Sequence, residues 1–297
     1  MLSPARALKT SRVMRKIGSV KSALEKIDAD VKLHHYKIRN FRPNVSFTIE
    51  KGHYIIKTAE NGAELEECLK LRFNVFHKEY MNKKRNYGVD IDKLDDFCDH
   101  LVIFDKRIEK TIGTYRLNSS LFSNTFYSSS EFDLGELTKL EGNKLELGRA
   151  CIAKEYRTGV VIAMLWRGIS EYIKRTETRL LLGCSSIKTM EPLEIGLITK
   201  HFADSGDLTY RFGVQPTKKY QVKQLKRVLE YLEMNPFEYN KKDVEAMIPP
   251  LVHSYIRMGA MICGEPAIDR EFHCIDLLTV VKMDEMLPEF KEKYGLV

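Results

Sequence analysis

One stretch of the sequence constrains the fold more than any other part. It comprises residues 145–168 and reads LELGRACIAKEYRTGVVIAMLWRG, a pattern that predicts a buried strand at 145–153, a turn, and an amphipathic helix from about residue 160. Such a turn leaves the first backbone N–H groups of the helix unpaired, and they can hold the phosphate of a pyrophosphate or a phosphopantetheine. The residues predicted to form this phosphate site are Arg157, Thr158, Gly159 and Val160.

Two charged residues lie in the otherwise apolar predicted strand. Glu146 and Arg149 are three positions apart, and burying charged groups there costs free energy unless they have a partner or a task. We therefore predict that the catalytic site lies at this strand, with Glu146 and Arg149 as its catalytic residues.

Length and composition exclude several classes of protein. A chain of 297 residues fits one large domain, or a domain with an appendage. The longest uninterrupted apolar run, residues 160–166, is far shorter than the roughly 20 residues of a membrane-spanning helix, so we predict none. The six cysteines show no Cys-x-x-Cys spacing, which indicates reduced core thiols and a cytosolic compartment.

The basic residues are concentrated in a predicted N-terminal arm, residues 1–44. Residues 1–42 contain 11 Lys and Arg and 3 Asp and Glu, which gives a charge of +8. The whole chain has a net charge of +7, so the remaining residues carry −1. An apolar stripe at helical spacing runs through this arm, and its members are Val13, Ile17, Val20, Leu24, Ile27 and Val31. The stripe fits a helix on an anionic membrane surface, or a helix packed on the domain. Nucleic acid is not predicted, because aromatic residues are not interleaved with the bases.

The rest of the chain, residues 45–297, has the pattern of a single α/β domain. Strands are predicted at 45–50, 54–59, 101–105, 111–118 and 180–185, and helices at 64–80 and 193–201, followed by a mostly helical region to residue 259. This order predicts a mixed sheet. It resembles the GNAT acyltransferase fold, with a mixed central sheet flanked by helices and a helical C-terminal extension.

Charged residues outside the central strand form a second pattern. Arg72, Asp92, Asp95 and Arg116 precede Glu146 and Arg149, and together with Phe76 they resemble the charged set of acyl-homoserine lactone synthases. The resemblance implies substrate binding by Arg72, Phe76, Asp92, Asp95 and Arg116. A structural ion network that holds the loop 81–99 to the preceding helix is the alternative. No metal site is predicted, because the acidic stretch 90–100 lacks the glycine and final glutamate of a calcium loop.

The C-terminal half distinguishes between related families. Residues 249–278, PPLVHSYIRMGAMICGEPAIDREFHCIDLL, together with YRTGVVIAMLWRGISEY and LLGCSSI, closely resemble the ornithine-lipid N-acyltransferases over residues 54–283. The resemblance implies that an acyl chain, typically 3-hydroxylated, moves from acyl carrier protein to the α-amino group of ornithine. The product would be a lyso-ornithine lipid. Some members use glycine, so the resemblance leaves the acceptor amino acid open, and it implies no bound cofactor.

The predicted phosphate turn differs from that of common GNAT acetyltransferases. Those enzymes bind coenzyme A with an Arg/Gln-x-x-Gly-x-Gly/Ala turn, whereas the turn here has a single glycine, Gly159. We therefore expect the lone phosphate of carrier-bound phosphopantetheine rather than the pyrophosphate of coenzyme A. Acidic acyl carrier protein would suit the basic residues Arg157 and Arg167 and the arm.

The implied reaction requires few groups. Glu146, or a water that it orders, is predicted to accept the proton of the attacking ammonium, because apolar strand neighbours should raise its proton affinity. Arg149 and Arg116 would pair with carboxylates of the protein or of the acceptor. Asp92 and Asp95 would hold those arginines or meet the side-chain ammonium of ornithine. Backbone N–H groups where the central strand diverges would stabilise the oxyanion.

Two other functions remain open from the sequence. One is an acyl-homoserine lactone synthase with S-adenosylmethionine as acceptor, and the other is a non-enzymatic adaptor for a carrier protein or a membrane. For the favoured N-acyltransferase, the expected location is the cytoplasm, with peripheral binding at the inner face of the cytoplasmic membrane.

Overall fold

A large mixed β-sheet forms the centre of the protein. The computed structural model describes residues 36–80, 88–236 and 239–296. The ten-stranded sheet has the order β1-β2-β3-β4-β6-β7-β12-β10-β8, with β11 paired to β12, while β5 and β9 form a separate two-stranded sheet. The strands are β1 (Thr48–Lys51), β2 (Tyr54–Thr58), β3 (Asp99–Asp105), β4 (Lys110–Ser119), β5 (Phe132–Asp133), β6 (Asn143–Ile152), β7 (Thr178–Ile187), β8 (Leu208–Thr209), β9 (Gln215–Pro216), β10 (Met261–Cys263), β11 (Ala267–Asp269) and β12 (Cys274–Lys282).

Helices cover both faces of this sheet. They are α1 (Gly62–Arg72), α2 (Gly159–Thr176), α3 (Pro192–Asp204), α4 (Leu225–Met234), α5 (Lys241–Met247), α6 (Pro250–Ile256) and α7 (Pro288–Tyr294). Alternation along β3 separates two cores, since successive strand residues point to opposite faces. Leu101 and Ile103 pack in the core that contains α2, whereas Val102 packs in the core that contains α1. The predicted mixed α/β fold is confirmed.

The C-terminal half contributes both helices and strands. Helices α3 to α6 pack together against β7, β10 and β12 through Ile187, Ile262 and Ile275. The chain then returns to the sheet, where β12 pairs antiparallel with β7 along its whole length. The predicted helical extension therefore corresponds to α4 to α6, and the sequence pattern did not reveal the strands that follow.

The predicted N-terminal arm is described only from residue 36. Ile38 and Phe41 are buried against α1 and Val102, and Lys37 forms an ion pair with Asp96 at 2.6 Å. The apolar stripe from Val13 to Val31 lies outside the described residues. Across the described part of the chain, every helix is too short or too polar to cross a membrane.

Candidate active site

The two central strands diverge at the predicted site, and the space between them is here called the cleft. Strands β6 and β7 pair in parallel only from Asn143 opposite Thr178 to Glu146 opposite Leu182. Beyond that point β6 continues in pairing with β4, and β7 continues in pairing with β12. The backbone edges that face each other across the divergence have no β6–β7 ladder hydrogen bonds. These backbone N–H and C=O groups need hydrogen-bond partners, and a narrow ligand between the strands can supply them.

Arg149 lies at the start of this divergence, at a bulge in β6. The register between β4 and β6 shifts between Thr114 and Arg116, and Arg149 has a φ of +52°. A bulge residue redirects its side chain relative to the regular strand. The Arg149 guanidinium lies 5.5–5.6 Å from the ring centres of Phe76, Tyr127 and Phe272, distances at which aromatic faces attract a cation.

An ion network holds this arginine from one side. Arg72 donates to Asp90 and to both oxygens of Asp95, at 2.7–3.1 Å, and Arg116 donates to both oxygens of Asp92 at 2.7 and 2.8 Å. Arg149 in turn donates to Asp92 at 3.3 Å, and its buried Nε forms a longer ion pair with Asp90 at 3.6 Å. Three arginines balance three aspartates, so the network is neutral as a unit.

Burial and the network set the charge states of its members. Burial opposes ionisation of Asp90 and Asp95, yet their hydrogen bonds and the neighbouring arginine charges hold both pKa values well below the usual range. Burial also lowers the pKa of His100 to about 3, so this histidine is neutral at physiological pH. His77 lies 3.0 Å from Asp90 and adds a further hydrogen bond to the network.

The predicted substrate-binding residues differ in their access to the cleft. The side chains of Arg72, Asp95 and Arg116 are 0%, 1% and 4% exposed, whereas those of Asp92 and Arg149 are 30% and 16% exposed. Phe76 is half-buried beside Arg149. The buried members thus form the structural ion network that was the alternative from the sequence, whereas Asp92, Arg149 and Phe76 are partly exposed.

Glu146 lies in a polar setting rather than the expected apolar one. Its carboxylate accepts hydrogen bonds from the backbone N–H groups of Tyr127 and Ser128, both at 2.7 Å, and from Ser128 Oγ at 2.6 Å. Asn118 Nδ2 is at 3.5 Å. The strand neighbours are apolar as predicted, but the loop before β5 folds over the strand and supplies donors. Both carboxylate oxygens are therefore occupied by the protein.

The predicted phosphate turn opens to solvent at the start of α2. The helix begins at Gly159, and its N-cap residue Thr158 makes no side-chain hydrogen bond to the first turn. Thr158, Gly159 and Val160 are exposed, and a Cβ on Gly159 would meet no atom within 4 Å. Arg157 donates to Glu79 at 2.7 Å and to the carbonyl of Ile152 at 3.1 Å. The first N–H groups of α2 are thus accessible to an anion.

Comparison with known proteins identifies the family. Residues 71–167 match the family described as an acetyltransferase (GNAT) domain. The chain is 30% identical over 259 residues to the L-ornithine N(alpha)-acyltransferase of Agrobacterium fabrum (strain C58), a match that covers 80% of this chain and 84% of that protein. The protein of the same name from Rhizobium meliloti (strain 1021) is 30% identical over 257 residues, covering 80% and 83%. The chain belongs to the L-ornithine N(alpha)-acyltransferase family.

This membership confirms the resemblance found in the sequence, and the chain is an acyltransferase with a GNAT domain. Among solved structures, FeeM, an N-acyl amino acid synthase from uncultured soil microbes, aligns with 83% of this chain and 98% of its own. Its sequence identity is 9% and its TM-score is 0.45.

Several residues at the cleft of this family member were not predicted from the sequence. They are Tyr127, Ser128, Glu131, Phe272 and Asp276, which surround Arg149 and Glu146. Two signals could have found them. Tyr127 and Glu131 are four positions apart in a serine-rich stretch, residues 119–131. Asp276 is a charged residue inside an apolar run, which is the pattern that also marked Glu146.

The cysteines of this acyltransferase are packing residues in the structure. Five are buried and Cys184 is half-buried, and all six are free thiols. Burial, together with nearby carboxylates, raises the pKa of Cys184 well above its usual value. Its thiol therefore stays protonated at neutral pH, which disfavours a role as nucleophile.

Proposed function

We propose that this chain transfers a (3-hydroxy)acyl group from acyl carrier protein to the α-amino group of ornithine, which yields lyso-ornithine lipid. The observation that carries the proposal is the partly exposed guanidinium of Arg149, whose two ion pairs with aspartates are long, in a chain whose relatives bear the name L-ornithine N(alpha)-acyltransferase. The planar guanidinium of an arginine can bind a carboxylate through two parallel hydrogen bonds, and an α-amino acid carries such a carboxylate.

Arg149 would orient the acceptor. Its ion pairs with Asp92 and Asp90 are long, at 3.3 and 3.6 Å, so it keeps capacity for a carboxylate. The rings of Phe76, Tyr127 and Phe272 exclude water around this contact, which strengthens it. The α-amino group then lies next to the carboxylate and faces the divergence of β6 and β7.

The chemical step needs a proton acceptor and an oxyanion site. The acceptor's ammonium loses one proton to the proton acceptor, and its nitrogen then forms an amide bond with the acyl carbon. The carbon–sulfur bond breaks, and the nitrogen's second proton passes to the leaving sulfur, which is released as the phosphopantetheine thiol. Because both oxygens of Glu146 already accept hydrogen bonds, a water ordered by Glu146 fits the role of proton acceptor better than direct contact. Backbone N–H groups at the divergence would stabilise the oxyanion.

The donor would bind at the opposite end of the cleft. The uncapped first turn of α2, formed by Thr158, Gly159 and Val160, would hold the phosphate of carrier-bound phosphopantetheine. Arg157 and Arg167, both exposed, would meet the acidic surface of the carrier protein. The basic arm would bring the enzyme to the inner face of the cytoplasmic membrane, where the product belongs.

The test is thiol release from 3-hydroxyacyl-carrier protein by the purified enzyme, with products read by mass spectrometry. Ornithine, glycine, lysine and S-adenosylmethionine are added singly. An N-acyl ornithine supports the proposal, and N-acyl glycine replaces the acceptor but keeps the reaction. A lactone formed from S-adenosylmethionine, or no turnover with any acceptor, contradicts it.

A further inference from the structure

Glu131 and Asp276 form a buried acidic pair next to the proposed acceptor site. Glu131 is 0% exposed and Asp276 is 3% exposed. Glu131 Oε1 accepts a hydrogen bond from the Tyr127 hydroxyl at 2.8 Å, while its Oε2 is buried and receives no N–H or hydroxyl hydrogen bond. The carboxyl group of Asp276 lies within hydrogen-bonding reach of Glu131. Asp276 Oδ1 accepts from the Ser186 hydroxyl at 2.5 Å. The pair therefore has fewer donors than two carboxylates need.

No lysine or arginine within the described ranges forms an ion pair with either carboxyl group, in contrast to the aspartates of the neutral network. Burial, and then the proximity of Asp276, raise the pKa of Glu131 to about 9, and burial raises the pKa of Asp276 as well. Two close carboxyl groups in such a site share a proton at neutral pH, because both cannot ionise together. A bound cation would allow both to ionise.

The pair lies next to the place proposed for the carboxylate of the amino-acid acceptor. Tyr127 connects the two places, because its ring contacts the Arg149 guanidinium and its hydroxyl donates to Glu131. Ser186, which donates to Asp276, is an exposed residue of β7 beyond the point where β6 diverges. Arg149 is also close enough to lower the pKa of Asp276 by its charge.

We propose that Glu131 and Asp276 bind the side-chain ammonium of the amino-acid acceptor. This inference rests on the proposed function and deepens it, because it names the residues that select ornithine over acceptors without a second amino group. Asp92 and Asp95, the earlier candidates for this contact, already hold the arginines of the network. The Oε2 of Glu131 receives no N–H or hydroxyl hydrogen bond, so an ammonium that displaces the proton shared with Asp276 can donate to it.

A divalent cation is the competing occupant of this region. Ligand atoms of Asp269, Cys274 and Asp276 lie within 4.8 Å of one another. However, Asp269 Oδ1 already accepts the backbone N–H groups of Glu271 and Phe272, at 2.7 and 3.1 Å. The ammonium is favoured because it also uses Glu131, which the metal set does not include.

The experiment compares ornithine with norvaline, which has the same carbon chain but no side-chain ammonium. The value of kcat/KM is measured for both acceptors with the full-length protein and with the variants Glu131→Gln and Asp276→Asn. Glu141→Gln, which removes an exposed carboxylate, is the matched control. The ratio of the two kcat/KM values within one preparation does not depend on the fraction of folded enzyme, so partial misfolding does not obscure the result.

We expect the unmodified protein to prefer ornithine by about tenfold or more. The preference should fall about fivefold or more in both variants and should stay unchanged in Glu141→Gln. If Glu131→Gln fails to fold, the preference measured for Asp276→Asn alone tests the inference. An unchanged preference in the variants overturns the inference but leaves the proposed function intact, whereas no turnover of ornithine by the unmodified protein overturns both. Equal loss for both acceptors after dialysis against EDTA would assign the region to a metal.

Discussion

Arg149 combines a strained backbone with a charged side chain at the point where the two central strands diverge. Its φ of +52° is in the left-handed region, which costs a non-glycine residue about 1–2 kcal/mol. The contacts with Asp92 and with three aromatic rings offset this cost and fix the direction of the guanidinium. Strain kept at such a position is typical of functional sites.

Replacing Arg149 by lysine tests its proposed role as the carboxylate anchor. Arg149→Lys keeps the charge but loses the planar fork, so KM for the amino-acid acceptor should rise about tenfold to hundredfold, the equivalent of a charged hydrogen bond of about 1.5–3 kcal/mol. Steady-state kinetics at saturating acyl carrier protein give this value. Arg227→Lys, an exposed replacement on α4, should leave KM unchanged. An unchanged KM in Arg149→Lys contradicts the assignment.

The pKa of Glu131 makes a separate prediction about stability. The folded state raises this pKa from 4.5 to about 9 and therefore holds the proton more tightly than the unfolded chain. The free energy of unfolding should consequently decrease as pH rises from about 4.5 to 9. Glu131→Gln removes this loss, so the Tm of the variant relative to the unmodified protein should increase by about 2 °C or more between pH 5 and pH 9.

Calorimetry without substrate measures this difference. Glu141→Gln, at an exposed position, should shift Tm by the same small amount at both pH values. If the difference in Tm between Glu131→Gln and the unmodified protein does not change with pH, the buried pair does not hold a proton.

The sequence pattern predicted part of the site but not the acidic pair of Glu131 and Asp276. Glu146, Arg149 and the set from Arg72 to Arg116 stand out because they are charged residues within apolar segments. Glu131 and Asp276 are far apart in the chain and come together only because β12 pairs with β7 beside the loop before β5. Such a long-range strand order follows from tertiary packing, which a single sequence does not specify.

Elements with a strong local signal were predicted accurately. Strand β6 begins and ends, and helix α2 begins, within two residues of the predicted positions, since the turn chemistry and the helical period mark them. Strand β12 was missed because nearly all of its residues are buried, and an uninterrupted apolar run cannot be assigned to strand or helix by periodicity alone.

The helix that carries Phe76 also differs from its prediction. A single helix was expected over residues 64–80, but α1 ends at Arg72 and continues as a π-helical segment, Phe73–Tyr80. The wider turns of a π-helix change which residues share a face. In this segment they place Phe76 against Arg149 and His77 against Asp90, a consequence of tertiary contacts that the helical period does not contain.

The open first turn of α2 can be tested by placing a negative charge there. Thr158→Asp should cap the helix better than the threonine, which makes no capping bond, so Tm should not fall. The same carboxylate should repel the phosphate of phosphopantetheine and raise KM for the acyl-carrier protein severalfold, since charges at a helix N-terminus contribute about 0.3–1 kcal/mol. Thr158→Ser is the matched control. If Thr158→Asp leaves this KM unchanged, the phosphate binds elsewhere.

At the scale of the whole molecule, the ion network connects parts of the chain that are distant in sequence. Arg72 belongs to α1, Asp90, Asp92 and Asp95 to the segment before β3, and Arg116 to β4. Their bonds hold the segment before β3 against the sheet on the acceptor side of the cleft. The aspartate contribution to stability should be lost as pH falls below their usual pKa range, because their folded pKa values are lowered.

The distribution of charge leaves the N-terminal residues as the most basic part of the protein. Residues 1–35 contain 8 Lys and Arg and 3 Asp and Glu. Ile38 and Phe41 are buried in the domain, so a truncation that starts at Tyr36 removes the predicted amphipathic stripe but keeps this packing.

If the stripe binds an anionic surface, with each nearby base contributing about 1 kcal/mol, the full-length protein should float with anionic vesicles and the truncated protein should not. Neutral vesicles and high salt should abolish flotation of the full-length protein, because both remove the electrostatic attraction. Equal flotation of both proteins would assign the stripe to packing on the domain instead.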